Sequence, residues 1–151
     1  VPNLYPTEEV TVTPETSETS ASQVKFGRSW RFDFDTGDFV LNPIGKVATA
    51  NELDAYIEWC QKALLTPRYW YPIYSRNYGS EFKDLIGRGL TSEAIESEIK
   101  RMVTETLMVD PRTAAVDNFS FTWESDTVSF ICEVTMARGE TAEISSKVVI
   151  G

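Results

Sequence analysis

Residues 127–150, TVSFICEVTMARGETAEISSKVVI, decide the fold. Val128, Phe130, Cys132, Val134 and Met136 alternate with Ser129, Ile131, Glu133 and Thr135. That period of two is the signature of a strand with one buried face. Ala137-Arg138-Gly139-Glu140 is a turn, with Gly139 free to adopt the backbone angles a tight turn needs. Thr141 to Ile150 follows as a last strand, with Ala142, Ile144, Ser146, Val148 and Ile150 on one side. Upstream, Phe119, Phe121 and Trp123 alternate with Ser120 and Thr122, adding another strand. The C-terminal third therefore reads as a meander of antiparallel strands.

Two helices precede it. Thr49 to Leu65 places Leu53, Tyr56, Ile57, Cys60 and Leu64 on one face. Thr49 and Glu52 have capping-box spacing, and Thr66-Pro67 ends the segment. Thr91 to Leu107 carries an apolar stripe of Ile95, Ile99, Met102, Val103 and Leu107, with Thr91 or Ser92 as its cap. Between them lies PRYWYPIYSRNYG, residues 67–79, dense in aromatics, where Pro72 forbids a regular helix. Glu81 to Ile86 reads as a short helical piece. At the front of the body, SWRFDF (29–34), Thr36-Gly37-Asp38 and Phe39 to Leu41 predict a β-hairpin. The expected class is α+β: a small antiparallel sheet, two main helices on one face of it, and an N-terminal hairpin.

Residues 1–23 differ in kind. They contain four acids, three prolines, many Ser and Thr, and no Lys or Arg. A segment of that composition cannot bury enough apolar surface to offset its ordering entropy. It reads as an extended acidic arm, either solvated or ordered against a partner through Leu4, Tyr5, Val10 and Val12. The body is then residues 24–151.

Composition removes whole classes of function. The chain has 151 residues, 23 Asp+Glu against 14 Lys+Arg, and a net charge of -9. Such a surface repels phosphates, so no nucleic-acid partner is expected. There is no His, which excludes imidazole triads and imidazole metal ligands. Cys60 and Cys132 are too few for a disulfide framework or a zinc site and read as buried thiols of a reducing compartment. No apolar run has the roughly 20 residues of a membrane helix, and no basic-then-apolar signal opens the chain.

Candidate chemistry is sparse. Glu81 and Asp84 beside an aromatic segment are the best carboxylate pair for a glycoside hydrolase, but acids are favoured at a helix start by the dipole alone. Asp33, Asp35 and Asp38 straddle the hairpin without the glycine and terminal Glu of a calcium loop, and read as a solvated face. No cofactor site is expected. Tyr69, Trp70, Tyr71 and Tyr74, with Arg68 and Arg76, read as a folded-over loop or a protein-contact surface. Asp110-Pro111-Arg112 sets two opposite charges on a stiff turn, where they either pair with each other or reach a partner.

Taken together, the hairpin FDFDTGDFVLN, a helix ending in LLT, an aromatic segment closing on YG, a second helix, an acidic-Pro-Arg tripeptide and C-terminal strands resemble the sheath-initiator family. These are small baseplate wedge proteins of contractile phage tails, and the likeness is nearest to the branch of PBSX-like prophages and R-type bacteriocins. It covers about residues 27–151 and leaves out the arm. The family's tripeptide is Glu-Pro-Arg, so Asp110 is a departure that shortens the carboxylate by one methylene. The resemblance implies a non-enzymatic subunit, six per baseplate, in a tail or tail-like particle assembled in the bacterial cytoplasm. Its implied partners are the sheath protein, baseplate wedge proteins and tail tube or hub proteins. It also implies wedge docking through Asp110, Pro111 and Arg112, and sheath contact through Thr141, Ala142, Glu143, Ile144, Ser145, Ser146, Lys147, Val148, Val149 and Ile150. From the residues alone, the favoured reading of that last strand is an ordinary internal strand capping the core. The alternative function is a small muramidase-like hydrolase of the tail.

Overall fold

The computed structural model describes residues 24–151. The proposed acidic arm, residues 1–23, lies outside the described residues. The chain runs β1 (Ser29–Trp30), β2 (Phe32–Asp33), β3 (Asp38–Phe39), β4 (Thr49–Ala50), α1 (Glu52–Leu65), a 3₁₀ turn (Phe82–Leu85), α2 (Ser92–Met108), β5 (Thr113–Glu124), β6 (Thr127–Met136) and β7 (Thr141–Val149). It is α+β, as the alternation predicts.

The hairpin forms, with Phe32 opposite Phe39. Asp33 Oδ1 accepts from the backbone N–H groups of Asp35 and Thr36, at 2.9 and 3.4 Å, and caps the turn. Those bonds hold its carboxyl below the ordinary value. The N-terminal substructure contains more than the hairpin. Arg31 N–H donates to Ala48 C=O, Ala48 N–H to Val40 C=O, and Val40 N–H to Arg31 C=O, at 2.8, 2.8 and 3.0 Å. Three segments thus close a ring of backbone bonds, and β4 pairs with β1.

That pairing corrects one expectation. Thr49 does not cap α1, because Thr49 and Ala50 are strand residues. The N-cap is Asn51, whose Oδ1 accepts from Asp54 N–H at 2.9 Å. The apolar stripe of α1 is also turned slightly: Ala55, Tyr56, Cys60, Ala63 and Leu64 are buried, while Leu53 is exposed. For α2 the predicted stripe is buried throughout, and Thr91 caps through its Oγ1 to Ala94 N–H.

The main sheet has the order β5-β6-β7, all antiparallel. The alternating face of β6 is its floor: Val128, Phe130, Cys132, Val134 and Met136 are each at most 1% exposed. The Val, Phe and Met side chains among them contribute about 1.5–3 kcal/mol each by leaving water. Helix α2 packs under β5 and α1 under β7, so the opposite face of the sheet is open. Burial pushes the thiols of Cys60 and Cys132 up to about 12, so both stay protonated and unreactive.

Candidate docking interface

A three-stranded open sheet has two edges, and here they differ. β6 and β7 pair without interruption from Thr127 opposite Val149 to Thr135 opposite Thr141. Met136 N–H donates to Glu140 C=O and Ile150 N–H to Asp126 C=O. In an antiparallel ladder the bonding direction alternates, so even-numbered residues of β7 face β6 and odd-numbered ones face outward. The N–H and C=O groups of Thr141, Glu143, Ser145, Lys147 and Val149 therefore point away from the sheet. Among the described residues none of these groups has a hydrogen-bond partner. The side chains of the same five residues lie on the exposed outer face. Ala142, Ile144, Ser146 and Val148 turn inward, and Ile144 is 0% exposed. β7 is thus a core strand by its side chains and a free edge by its backbone.

The other edge is broken. Between Thr113 and Ala115, and again between Asp117 and Ser120, β5 gains a residue on β6. Asn118 takes φ 53° at the second irregularity, and its side-chain amide donates to Glu133 at 3.3 Å. Such bulges bend a strand and interrupt the row of donors that another chain would need. Trp123, near the end of β5, is tied to α2 through Nε1 to Glu96 at 2.9 Å.

Asp110 and Arg112 pair with each other. The Arg112 backbone N–H and Nε donate to Asp110 Oδ1, and a terminal guanidinium nitrogen donates to Oδ2, at 2.8, 2.9 and 2.7 Å. The two side chains are only 11% and 15% exposed. The guanidinium also lies over the rings of Tyr56 and Trp59 in α1. The bond to Asp110 pushes the guanidinium pKa up and keeps it charged. The tripeptide therefore joins the end of α2 to α1 and aims the chain into β5.

The aromatic segment is a clamped loop. Arg68 N–H donates to Ser80 C=O and Ser80 N–H to Thr66 C=O, both at 2.9 Å. Gly79, at φ 105°, has no room for a side chain: a Cβ would lie 2.7 Å from Thr66 O. The loop presents Tyr69, Trp70, Tyr71 and Ile73 to solvent, with Ile73 86% exposed. Tyr74 turns the other way and lies against Tyr78 in a tilted pair, centroids 4.5 Å apart. Glu81, a candidate acid of the hydrolase alternative, is held by Arg68 at 3.3 Å. Neither it nor Asp84 lines the clefts described here.

Two clefts were not foreseen from the sequence. One, about 540 Å³, lies between the hairpin and α1 and is lined by Trp30, Phe32, Phe34, Phe39 and Trp59. The density of aromatics in SWRFDFDTGDF was the available signal. A smaller one, about 230 Å³, runs from the end of α1 to the last residues of β7. Leu65, off the apolar stripe of its helix, was its only sequence hint. Among the described residues no group of three acidic or thiol side chains could hold a metal ion, and no helix is long and apolar enough to cross a membrane.

The chain has counterparts among known proteins. Phage-like element PBSX protein XkdS of Bacillus subtilis (strain 168) is 31% identical over 140 residues, covering 88% of this chain and 95% of the relative. The fold is similar to a chain in the cryo-EM structure of the anti-feeding prophage baseplate, 6-fold symmetrised. There the TM-score is 0.51 at 13% identity, over 83% of this chain and 86% of that one. The model of the contractile injection system sheath initiator matches residues 28–139, most of the described body. The chain therefore belongs to the sheath-initiator family of contractile injection systems.

Proposed function

We propose that this chain is a non-enzymatic baseplate subunit that starts sheath growth by accepting an extended segment of the sheath protein along β7. The observation that carries this reading is the uninterrupted nine-residue edge of β7, Thr141–Val149, with its outward backbone groups unpartnered. Strand addition uses such groups for affinity and register. Family membership supports the assignment to a baseplate, and the relative from the PBSX phage-like element supports a tail-like particle.

Six copies stand around the tube in this account, facing sheath, wedge and tube or hub proteins. The Asp110-Pro111-Arg112 turn contributes to wedge docking by fixing the surface around it, since its charges are spent on each other. Tyr69, Trp70 and Tyr71 offer a second protein-contact surface on a loop whose ends are bonded down.

Ser145→Pro tests the reading. The Ser145 N–H faces outward, so proline removes an edge donor without breaking a bond to β6. The variant is expected to fold, to enter baseplates, and to yield particles without sheath in electron micrographs. Normal sheaths on that variant would contradict strand addition at β7.

A further inference from the structure

The smaller cleft lies at the C-terminal end of the β7 edge. Leu64, Leu65, Pro67, Phe82 and Ile86 form its walls, and Val148 and Val149 close it on the strand side. Lys83 and Lys147 stand at its rim. Lys83 Nζ sits 3.8 Å from the centre of the Trp70 ring. Among the described residues neither lysine has a carboxylate partner. An apolar cavity with a cationic rim, continuous with a row of free backbone donors and acceptors, is a side-chain subsite on a strand-docking edge.

We infer that this cleft reads the sequence of the docked strand, taking one apolar side chain opposite Val148 beside a carboxylate opposite Lys147. The inference rests on the edge-docking reading above and deepens it. Directly opposed residues on paired strands share a face. Val148 points inward, so the residue across from it points into the cleft. Val148 bonds toward β6, so with an incoming strand that runs antiparallel to β7 it makes a non-hydrogen-bonded pair, the kind with the closer side chains. Lys147 points to the outer face, and an acid opposite it forms a cross-strand ion pair. Glu143 lies on that same outer face four residues away and opposes Glu133 on β6. It disfavours an acid at its own position on the incoming strand. The lysine and glutamate together fix where along β7 a charged segment settles.

A positional-scanning library of ten-residue peptides with blocked termini is the probe. Binding to the full chain is followed by fluorescence anisotropy, and the contacted amides by hydrogen exchange. Selected peptides should protect the amides of Glu143, Ser145, Lys147 and Val149. They should carry an apolar residue next to an acid. Ile86→Asp, at an exposed position, should weaken them at least tenfold, and Lys147→Glu should reverse the preference from acid to base. Peptides that protect the β7 amides but ignore both substitutions would overturn the cleft inference and leave edge docking standing. A library with no member that protects those amides, whether through binding elsewhere or not at all, would overturn both.

Discussion

β5 and β7 flank the same central strand and bury side chains in the same core, yet their outer backbones are built differently. β5 contains two register breaks and a residue at positive φ. β7 contains none over its nine residues. Both edges expose polar backbone to water, a standing invitation to aggregate. One is blunted by bulges and by a tryptophan pinned to α2. The other is left straight, guarded only by Glu143 and Lys147. On the proposed reading, the edge kept regular is the one that accepts a partner, and the edge kept irregular is the one that avoids others.

Ile144→Ala should cost about 2–5 kcal/mol, because it empties a fully buried site beneath β7. Ser145→Pro, one residue along, should cost far less in urea unfolding while removing sheath assembly. Equal losses of stability in the two variants would erase the distinction between the core face and the edge of β7. Truncation of residues 141–151 separates nothing, since it removes Ile144 and Val148 from the core along with the edge. Arg112→Ala should cost about 2–4 kcal/mol, because it leaves the Asp110 carboxylate largely buried without its cation. An unchanged melting temperature would show that the turn does not anchor the start of β5.

A subtler test rebuilds the blunted edge. Deleting Asn118 removes the second register break, so that β5 pairs regularly with β6 from Ala115 onward and Phe119 comes opposite Cys132. The deletion variant should stay folded but self-associate through its straightened edge, seen as dimers in light scattering. A strictly monomeric variant would show that the bulge is not what protects β5. A last effect is confined to alkaline solution. Burial raises the thiols of Cys60 and Cys132 to about 12. The folded state therefore keeps protons that the unfolded state releases above its ordinary thiol range. Stability is full below about pH 8.5 and falls as pH rises toward 12. Ser145→Pro should follow the same profile as the parent chain, because the thiols lie under the sheet and not on its edge.

The sequence showed its structure where one physical signal acted alone. The face of β6 and the stripe of α2 were legible because burial dictates every second residue in one and every third or fourth in the other. The first half of β5 was not, because each bulge shifts the alternation by one residue. Thr113, Val116 and Phe119 all turn toward the core at spacings of three, which hide the strand's period of two. The cap of α1 was misplaced because Thr49 and Asn51 are both good caps, and only the distant pairing of β4 with β1 decides between them. At the candidate interface, the ten residues of the last strand could be named, but not which half of them faces outward with free backbone. That depends on the bonding parity set by the turn at Ala137 to Glu140. The Asp110–Arg112 pair was one of two readings of the tripeptide, and the rings of Tyr56 and Trp59 that cover it come from a helix about fifty residues earlier.

A density map of the assembled baseplate with its first sheath ring would show what lies beside β7. Strand addition requires a strand from another chain about 4.8 Å from β7, bonded to Glu143, Ser145, Lys147 and Val149, with β5 left bare. A β7 edge that is empty, or covered by residues of its own chain, would contradict it.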